Sequence, residues 1–518
     1  MSPMSMHPTT GRARRGLRNC LRNATVALCL LALPALATAA PAPATPRDGK
    51  AAVAAPGPKA TKKKKDLGFD LPVQSFDLAN GMRVFVVEDH STPAFNMTLL
   101  YDVGSRDEVP GRTGFAHLFE HMMFEGSKNV PPTRCTKVRL AIGGTFLLPS
   151  NIMNVPPMAN LTFVQRVGGN NNAGTSYDMT MYYNNLPSQY LELGLWLESD
   201  RLRSLEITDA NFENQRKAVK EEKAMRMDNV PYSGAIQNWL SDAWKGTGYG
   251  HTVIGSLEDL DAAKTADVQE FFNKYYSPNN AVMVFVGDVD FTDLKAKVEK
   301  YFGDIKRGPD RIPTPAGSID KSKPFERSVE DPLAQQALYL LGWHTVGQTH
   351  PDRYALDLLG NIMLVGESAR IPKILQDEKK LVAFAGGAHF SQRDAGLVFV
   401  QAMPLATSNF DAIKTVIRDE VAKVQKTGIS PRELQKAINA EVMSTVGTLA
   451  TNQGRASSIA TGALFYNDPK RVLTDLQKYQ EVTPADIKRV ANEYLGANWL
   501  TLEIKPAAAA KANMMGPG

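Results

Sequence analysis

His117-Leu118-Phe119-Glu120-His121 is the stretch on which the reading of this chain turns. On an α-helix, residues four apart share a face, so His117 and His121 aim two imidazoles at one point. That spacing suits a divalent cation, zinc above all, which takes histidine nitrogens at about 2.0–2.1 Å. Glu120 sits three residues after the first histidine and beside the second, on the same side of the helix. It can reach a water held by the cation without being a ligand itself. The order H-x-x-E-H is the mirror of H-E-x-x-H.

Taken alone, the pentapeptide also fits a solvated helix face. Its neighbours argue otherwise, because Thr113-Gly114-Phe115-Ala116 before it and Met122-Met123-Phe124 after it are largely apolar. Two histidines and a glutamate buried without partners are costly, and a bound cation supplies one. A catalytic zinc site has three protein ligands and an open position. The segment Asp209 to Met227, read as a helix, offers Glu213, Glu221 and Glu222, and spacing does not choose among them.

The chain has 518 residues, 43% hydrophobic and 22% charged, a globular composition with room for more than one domain. A formal net charge of +5 is slight for this length and argues against a nucleic-acid partner. Residues 1–39 read as a signal peptide. Arg12, Arg14, Arg15, Arg18 and Arg22 precede an apolar run from Ala24 to Leu36, and Ala37-Thr38-Ala39 forms a small-residue cleavage site. The protein is therefore expected to be exported, periplasmic or secreted, with no transmembrane span elsewhere. Cys20 and Cys29 leave with the signal, so the mature chain keeps Cys135 alone and forms no internal disulfide. Residues 40–69, rich in Ala, Pro and Lys, read as a solvated linker.

The folded part alternates strands with amphipathic helices, predicting an α+β fold. In the first half, strands are expected at Val84–Val87, Phe95–Val103 and Ala281–Val286, with a helix over Thr292–Phe302. Pro and Gly across Gly308–Gly317 separate the halves. Beyond them, strands are expected at Ala337–Leu341 and Leu397–Val400, and helices at Tyr354–Met363, Phe410–Thr427, Pro431–Gly447 and Pro484–Leu495. The order of elements echoes the first half, as two similar α/β-layer domains would. His344, His350 and His389 are scattered and read as structural or surface residues.

Several motifs together resemble the pitrilysin/insulinase family of zinc peptidases. They are His117–His121, then Gly168-Gly169-Asn170-Asn171-Asn172-Ala173-Gly174-Thr175-Ser176, then Arg216-x-x-Val219-x-x-Glu222. The strand Val282–Gly287 after Tyr276-Ser277-Pro278-Asn279-Asn280 is similar to the end of that family's first domain. The resemblance covers about residues 70 to 505. It implies a clam-like pair of duplicated metalloprotease-like halves: a zinc-binding peptidase domain over 70–307, a linker over 308–324, a metal-free domain over 325–505 and a tail over 506–518. It places the third ligand on Glu222 and one zinc ion per chain, held by His117, His121 and Glu222, with Glu120 as general base. It further implies that the edge strand at Asn172 and Ala173 binds an extended peptide by strand addition. The activity implied is hydrolysis of peptide bonds in unfolded peptides or small proteins. A non-catalytic scaffold subunit is the competing reading, because some members have degraded metal motifs.

Three departures accompany the resemblance. Position 215, where the family commonly has an acidic residue supporting the site, is Gln215. Asn129-Val130-Pro131-Pro132 recurs as Asn154-Val155-Pro156-Pro157, an offset of 25, and Glu222 stands 105 positions after His117. Removing that offset leaves 80, close to the family's separation, so about 133–157 is read as an inserted loop dispensable for metal binding. The Arg–Tyr pair that some members use to hold substrate has no counterpart in Leu397–Met403. Related bacterial enzymes of this length complete the site with a second subunit, so the resemblance leaves room for a homo- or hetero-oligomer with a metal-free homologous subunit.

Overall fold

The computed structural model describes residues 70–130, 138–139, 145–146, 159–319, 325–406 and 409–507. The expected signal peptide and linker (1–69) lie outside these residues, as do most of the expected insertion and the tail beyond 507. Of the insertion, Val138–Arg139 and Thr145–Phe146 are described, paired as a short antiparallel ribbon.

The first half is a six-stranded sheet. Its strands are β1 (Gln74–Asp77), β2 (Arg83–Glu88), β3 (Ala94–Tyr101), β4 (Asn170–Thr175), β5 (Thr180–Pro187) and β6 (Ala281–Gly287), in the order β1-β2-β6-β3-β5-β4. Every residue of β6, Ala-Val-Met-Val-Phe-Val-Gly, is buried, as a run with no polar alternation requires of a central strand. β4, Asn-Asn-Asn-Ala-Gly-Thr, alternates exposed and half-buried positions and lies at the sheet edge. The turn into β2 depends on Gly81, whose φ of +91° a side chain would strain.

The second half repeats this plan with five strands: β7 (Phe325–Asp331), β8 (Leu338–Val346), β9 (Val382–Ser391), β10 (Ala395–Pro404) and β11 (Leu500–Pro506). Their order, β9-β10-β8-β11-β7, matches β4-β5-β3-β6-β2 strand for strand. The match includes orientation, since β11–β7 and β6–β2 are the parallel pairs and the remaining neighbours run antiparallel. The duplication expected from the faint sequence echo is a property of the fold.

Six helices form the helical centres of the two halves and the seam between them: α1 (Phe115–Met122), α2 (Asp209–Lys223), α3 (Ser233–Ala243), α4 (Arg353–Leu364), α5 (Pro431–Leu449) and α6 (Asn452–Tyr466). The halves exchange two of them. α6 lies against β3 and β6, where Ala456, Ile459, Ala460 and Ala463 share a buried core with Phe85, Leu100, Val282, Val284 and Val286. Alanines on that face let helix and sheet approach closely. In return α3 reaches β11, and Trp239 packs on Phe399 and over Gly342, where a Cβ would come within 2.9 Å of the indole. Each sheet thus buries one face under the other half's helix, and burial worth roughly 25 cal/mol per Å² joins the halves. Partly buried ion pairs at Asp394 and Arg393 cross the seam. Arg106, 5% exposed, meets Asp178 at 3.0 Å and Asp394 at 2.6 Å, and the Arg393 guanidinium reaches Asp102 at 3.0 Å. Among the described residues, no helix is long and apolar enough to cross a membrane.

Candidate metal centre

α1 is short and is held at its N-terminal end. It begins after Gly114, whose φ is +89° and where a Cβ would meet the Ile254 carbonyl oxygen at 2.5 Å. The free N–H groups of its first turn find a buried carboxylate: Gly114 N donates to Glu108 Oε2 at 2.8 Å and Ala116 N to Oε1 at 2.7 Å. Burial pushes the Glu108 carboxyl well above its ordinary range, with the two backbone donors pulling the other way. Leu118, Phe119 and Met122 go into the core, which leaves His117, Glu120 and His121 half-buried on another face.

α2 crosses that face. Glu222, in its last turn, turns one carboxylate oxygen to both histidines: Oε2 lies 3.0 Å from His121 Nε2 and 3.6 Å from His117 Nε2. Of the three glutamates left open by spacing, Glu213 instead pairs with Arg216 at 2.5 Å and Glu221 faces solvent. A wide π turn, Ala224–Asp228, follows directly. It brings Arg226 Nη1 to 2.8 Å from the other Glu222 oxygen, Oε1. His117, His121 and Glu222 offer three donor atoms within 4.8 Å of one another.

These donors suit zinc. Ligand atoms at tetrahedral positions around bonds of about 2.0–2.1 Å stand roughly 3.3 Å apart, and the two measured separations bracket that value. For two of the three donors, His117 and Glu222, protonation points the same way. Burial pulls the His117 imidazole down to about 4, so it is neutral at pH 7 with a lone pair to give. Burial alone would raise the Glu222 carboxyl, but the His121 hydrogen bond and the charges of His117, His121 and Arg226 bring it to about 2. His121 moves upward, because Glu222 and Glu120 outweigh its burial.

Glu120 stays off the donor set. Its Oε2 accepts a 2.6 Å hydrogen bond from Thr175 Oγ1, at the last residue of β4. Burial raises its carboxyl above the ordinary range against the pull of that hydroxyl. Asn172 is exposed and Ala173 half-buried on the same edge strand, whose inner side pairs with β5 through Asn172↔Tyr183 and Ala173↔Tyr182. Alternation puts Ala173 and Thr175 on one face of β4, a period-two signal by which Thr175 was findable in the sequence. Glu108, Glu125 and Arg226 carry no such signal in the sequence.

Gln215, the expected departure, faces His121, with Oε1 3.3 Å from Nδ1. Its own amide nitrogen donates to Glu125 Oε1.

The corresponding place in the second half is filled differently. On α4, which follows β8 as α1 follows β3, Asp357 and Asn361 are four apart. Asn361 Nδ2 donates to Glu441 of α5 at 2.5 Å, where α1 and α2 bring together His121 and Glu222. Asp357 accepts from Tyr479 at 2.6 Å and contacts His389 Nδ1 at 2.6 Å and Arg353 Nε at 3.5 Å. An arginine side chain supplies the cation there. His389 also touches Thr345 at 3.0 Å, His344 Nε2 meets the Ala243 carbonyl at 2.5 Å, and His350 accepts from Asp352 N at 3.1 Å. These three histidines of the second half therefore have structural contacts, as expected.

A duplicated α+β shell in which, among the described residues, two imidazoles and a carboxylate converge in one half only is the architecture of a metallopeptidase family with one silent copy. Residues 83–256 match the family described as Insulinase (Peptidase family M16), and residues 263–441 match the Peptidase M16 inactive domain. The chain belongs to the M16 peptidase family. It is 28% identical over 428 residues to the zinc protease PqqE of Helicobacter pylori, covering 81% of this chain and 90% of that protein. An uncharacterised zinc protease of Streptomyces coelicolor is 24% identical over 432 residues, 82% of this chain and 87% of that one. The crystal structure of a protease from Helicobacter pylori superposes with a TM-score of 0.73 at 26% identity, covering 84% of this chain and 99% of that chain.

Proposed function

We propose that this chain is an exported zinc metallopeptidase that hydrolyses unfolded peptides or small proteins, with its zinc-binding half over 70–307 and a metal-free half over 325–505. One observation carries the reading: His117 Nε2 and His121 Nε2 converge on Glu222 Oε2 while Glu120 stands beside them, tied to the edge strand. His117, His121 and Glu222 would hold the ion. Bound zinc supplies Lewis acidity to the scissile carbonyl and draws the pKa of a coordinated water toward 7.

The chain's own residues do the rest. The open edge of β4 at Asn172 and Ala173 pairs with the peptide backbone and holds it extended, which converts the encounter into an oriented, near-unimolecular one. Glu120 takes the proton of the attacking water as oxygen bonds to the carbonyl carbon. It then gives that proton to the leaving nitrogen as the C–N bond breaks, releasing an amine and a carboxylic acid. Thr175 orients the Glu120 carboxyl by holding its Oε2. Export rests on the basic, apolar and small-residue order of residues 1–39.

The test is elemental analysis of the mature chain, followed by digestion of a mixed peptide pool with and without a chelator. We expect one zinc per chain and cleavage that stops when the metal is stripped and returns with zinc. A folded chain that takes up no zinc, or cleavage indifferent to the chelator, overturns the reading and favours a scaffold role.

A further inference from the structure

The carboxylate that the family commonly supplies at position 215 is not missing from this centre; it has moved one residue outward. Gln215 is 2% exposed and Glu125 1% exposed. Glu125 follows α1 by less than a turn, its N–H donating to the Met122 carbonyl at 3.1 Å. Gln215 lies seven residues before Glu222 on α2, two helical turns away on the same face. The two side chains meet beneath His121: Glu125 Oε1 accepts from Gln215 Nε2 and, at 3.1 Å, from Asn214 Nδ2.

This arrangement has a direction. A neutral imidazole that offers its Nε2 lone pair to a metal carries its proton on Nδ1, and that N–H needs an acceptor. An amide has one accepting end and one donating end. If the Gln215 oxygen faces His121 Nδ1, its NH₂ group must face an acceptor on the other side, and Glu125 is that acceptor. With the amide turned round, NH₂ would face N–H and carbonyl oxygen would face carboxylate, two repulsions in a buried place where each is costly. The carboxylate therefore fixes the amide, the amide fixes the tautomer, and the tautomer presents Nε2.

We propose that Glu125 is a positioning residue of the metal centre, acting through Gln215 to hold His121 in the tautomer that binds zinc. The inference rests on the zinc reading above. It implies that the pair Glu125/Gln215 does together what one acidic residue does at position 215 elsewhere.

The experiment measures zinc affinity of the mature chain by competition with a chromophoric chelator, with circular dichroism as a check of fold. Glu125→Met, which leaves the Gln215 amide no acceptor at that position, should weaken zinc binding about 10- to 100-fold, the usual cost of losing an outer hydrogen-bond partner of a ligand. Glu125→Gln combined with Gln215→Glu puts the carboxylate directly on Nδ1 and should restore the affinity. Should the single variant fail to fold, the double variant decides alone: affinity like that of the unaltered chain supports the relay, and weak binding overturns it. A folded Glu125→Met chain with undiminished affinity overturns it too, as does a double variant no better than the single one. If the unaltered chain binds no zinc, the zinc reading itself falls and takes this one with it, so the two failures are told apart.

Discussion

Thr175 and Glu120 are joined by a 2.6 Å hydrogen bond that links the end of the edge strand to the carboxylate beside the two histidines. Thr175 and Glu120 are 55 residues apart in sequence, and under the function proposed above this contact would set where a peptide paired with β4 stands relative to Glu120. Thr175→Val keeps the shape and removes the donor. Hydrogen bonds to charged groups contribute about 1.5–3 kcal/mol, so kcat on an unstructured peptide should fall roughly 10- to 100-fold if Glu120 loses its orientation. Zinc content should stay unchanged, since Thr175 touches no metal donor.

Glu120→Gln is the sharper change, because an amide cannot take a proton from water. Removing a general base typically costs about 10²–10⁴ in rate. We expect the variant to keep its metal and its fold while kcat collapses. Undiminished turnover would move the base to another residue.

Glu222→Ala should abolish zinc binding, whereas Glu221→Ala and Glu213→Ala should leave it intact. Neighbouring glutamates on one helix make an internally controlled set. Glu221 faces solvent and Glu213 is engaged with Arg216, so only Glu222 has its carboxylate between the imidazoles. Dialysis followed by metal analysis reads the outcome.

Arg226→Met tests a weaker contact. Arg226 holds the outer oxygen of Glu222 at 2.8 Å, but its side chain is 75% exposed. Exposed pairs four apart on a helix contribute about 0.3–0.5 kcal/mol, so the expected loss of zinc affinity is about twofold and should vanish in high salt. A tenfold loss would mean the π turn itself depends on the arginine.

A pH experiment separates fold from site. Arg370 holds both oxygens of Glu433, at 2.7 and 3.0 Å, at the start of α5, and with Ser430 brings its carboxyl down to about 2. A carboxyl depressed on folding stabilises the native state above its unfolded pKa and loses that contribution as pH falls through the folded value. The difference in Tm between the unaltered chain and Arg370→Met should therefore be greatest near neutrality and shrink steadily from about pH 4.5 toward 2. A difference constant over that range would assign the effect to packing rather than charge.

Much of the fold was legible because it is local. The apolar run of β6 and the period of the helix over Phe410–Thr427 depend on neighbours in sequence, and both formed where expected. The helix expected over Asp209–Met227 is regular only to Lys223 and widens into a π turn. On that turn Arg226 meets Glu222 beside the histidines, a contact that no periodicity encodes.

Sequence alone determined the two imidazoles of one helix face and the order of two similar halves, since spacing along a regular helix and the period of a strand are properties of the backbone. Tertiary structure decided the rest. It turned Glu222 rather than Glu213 or Glu221 toward the imidazoles, seated α3 and α6 on each other's sheets, put Thr175 on Glu120, and placed Arg353 where the second half has no histidine pair. Each of these joins side chains from distant stretches, and a buried polar group acquires its partner only when folding removes the water that would otherwise serve.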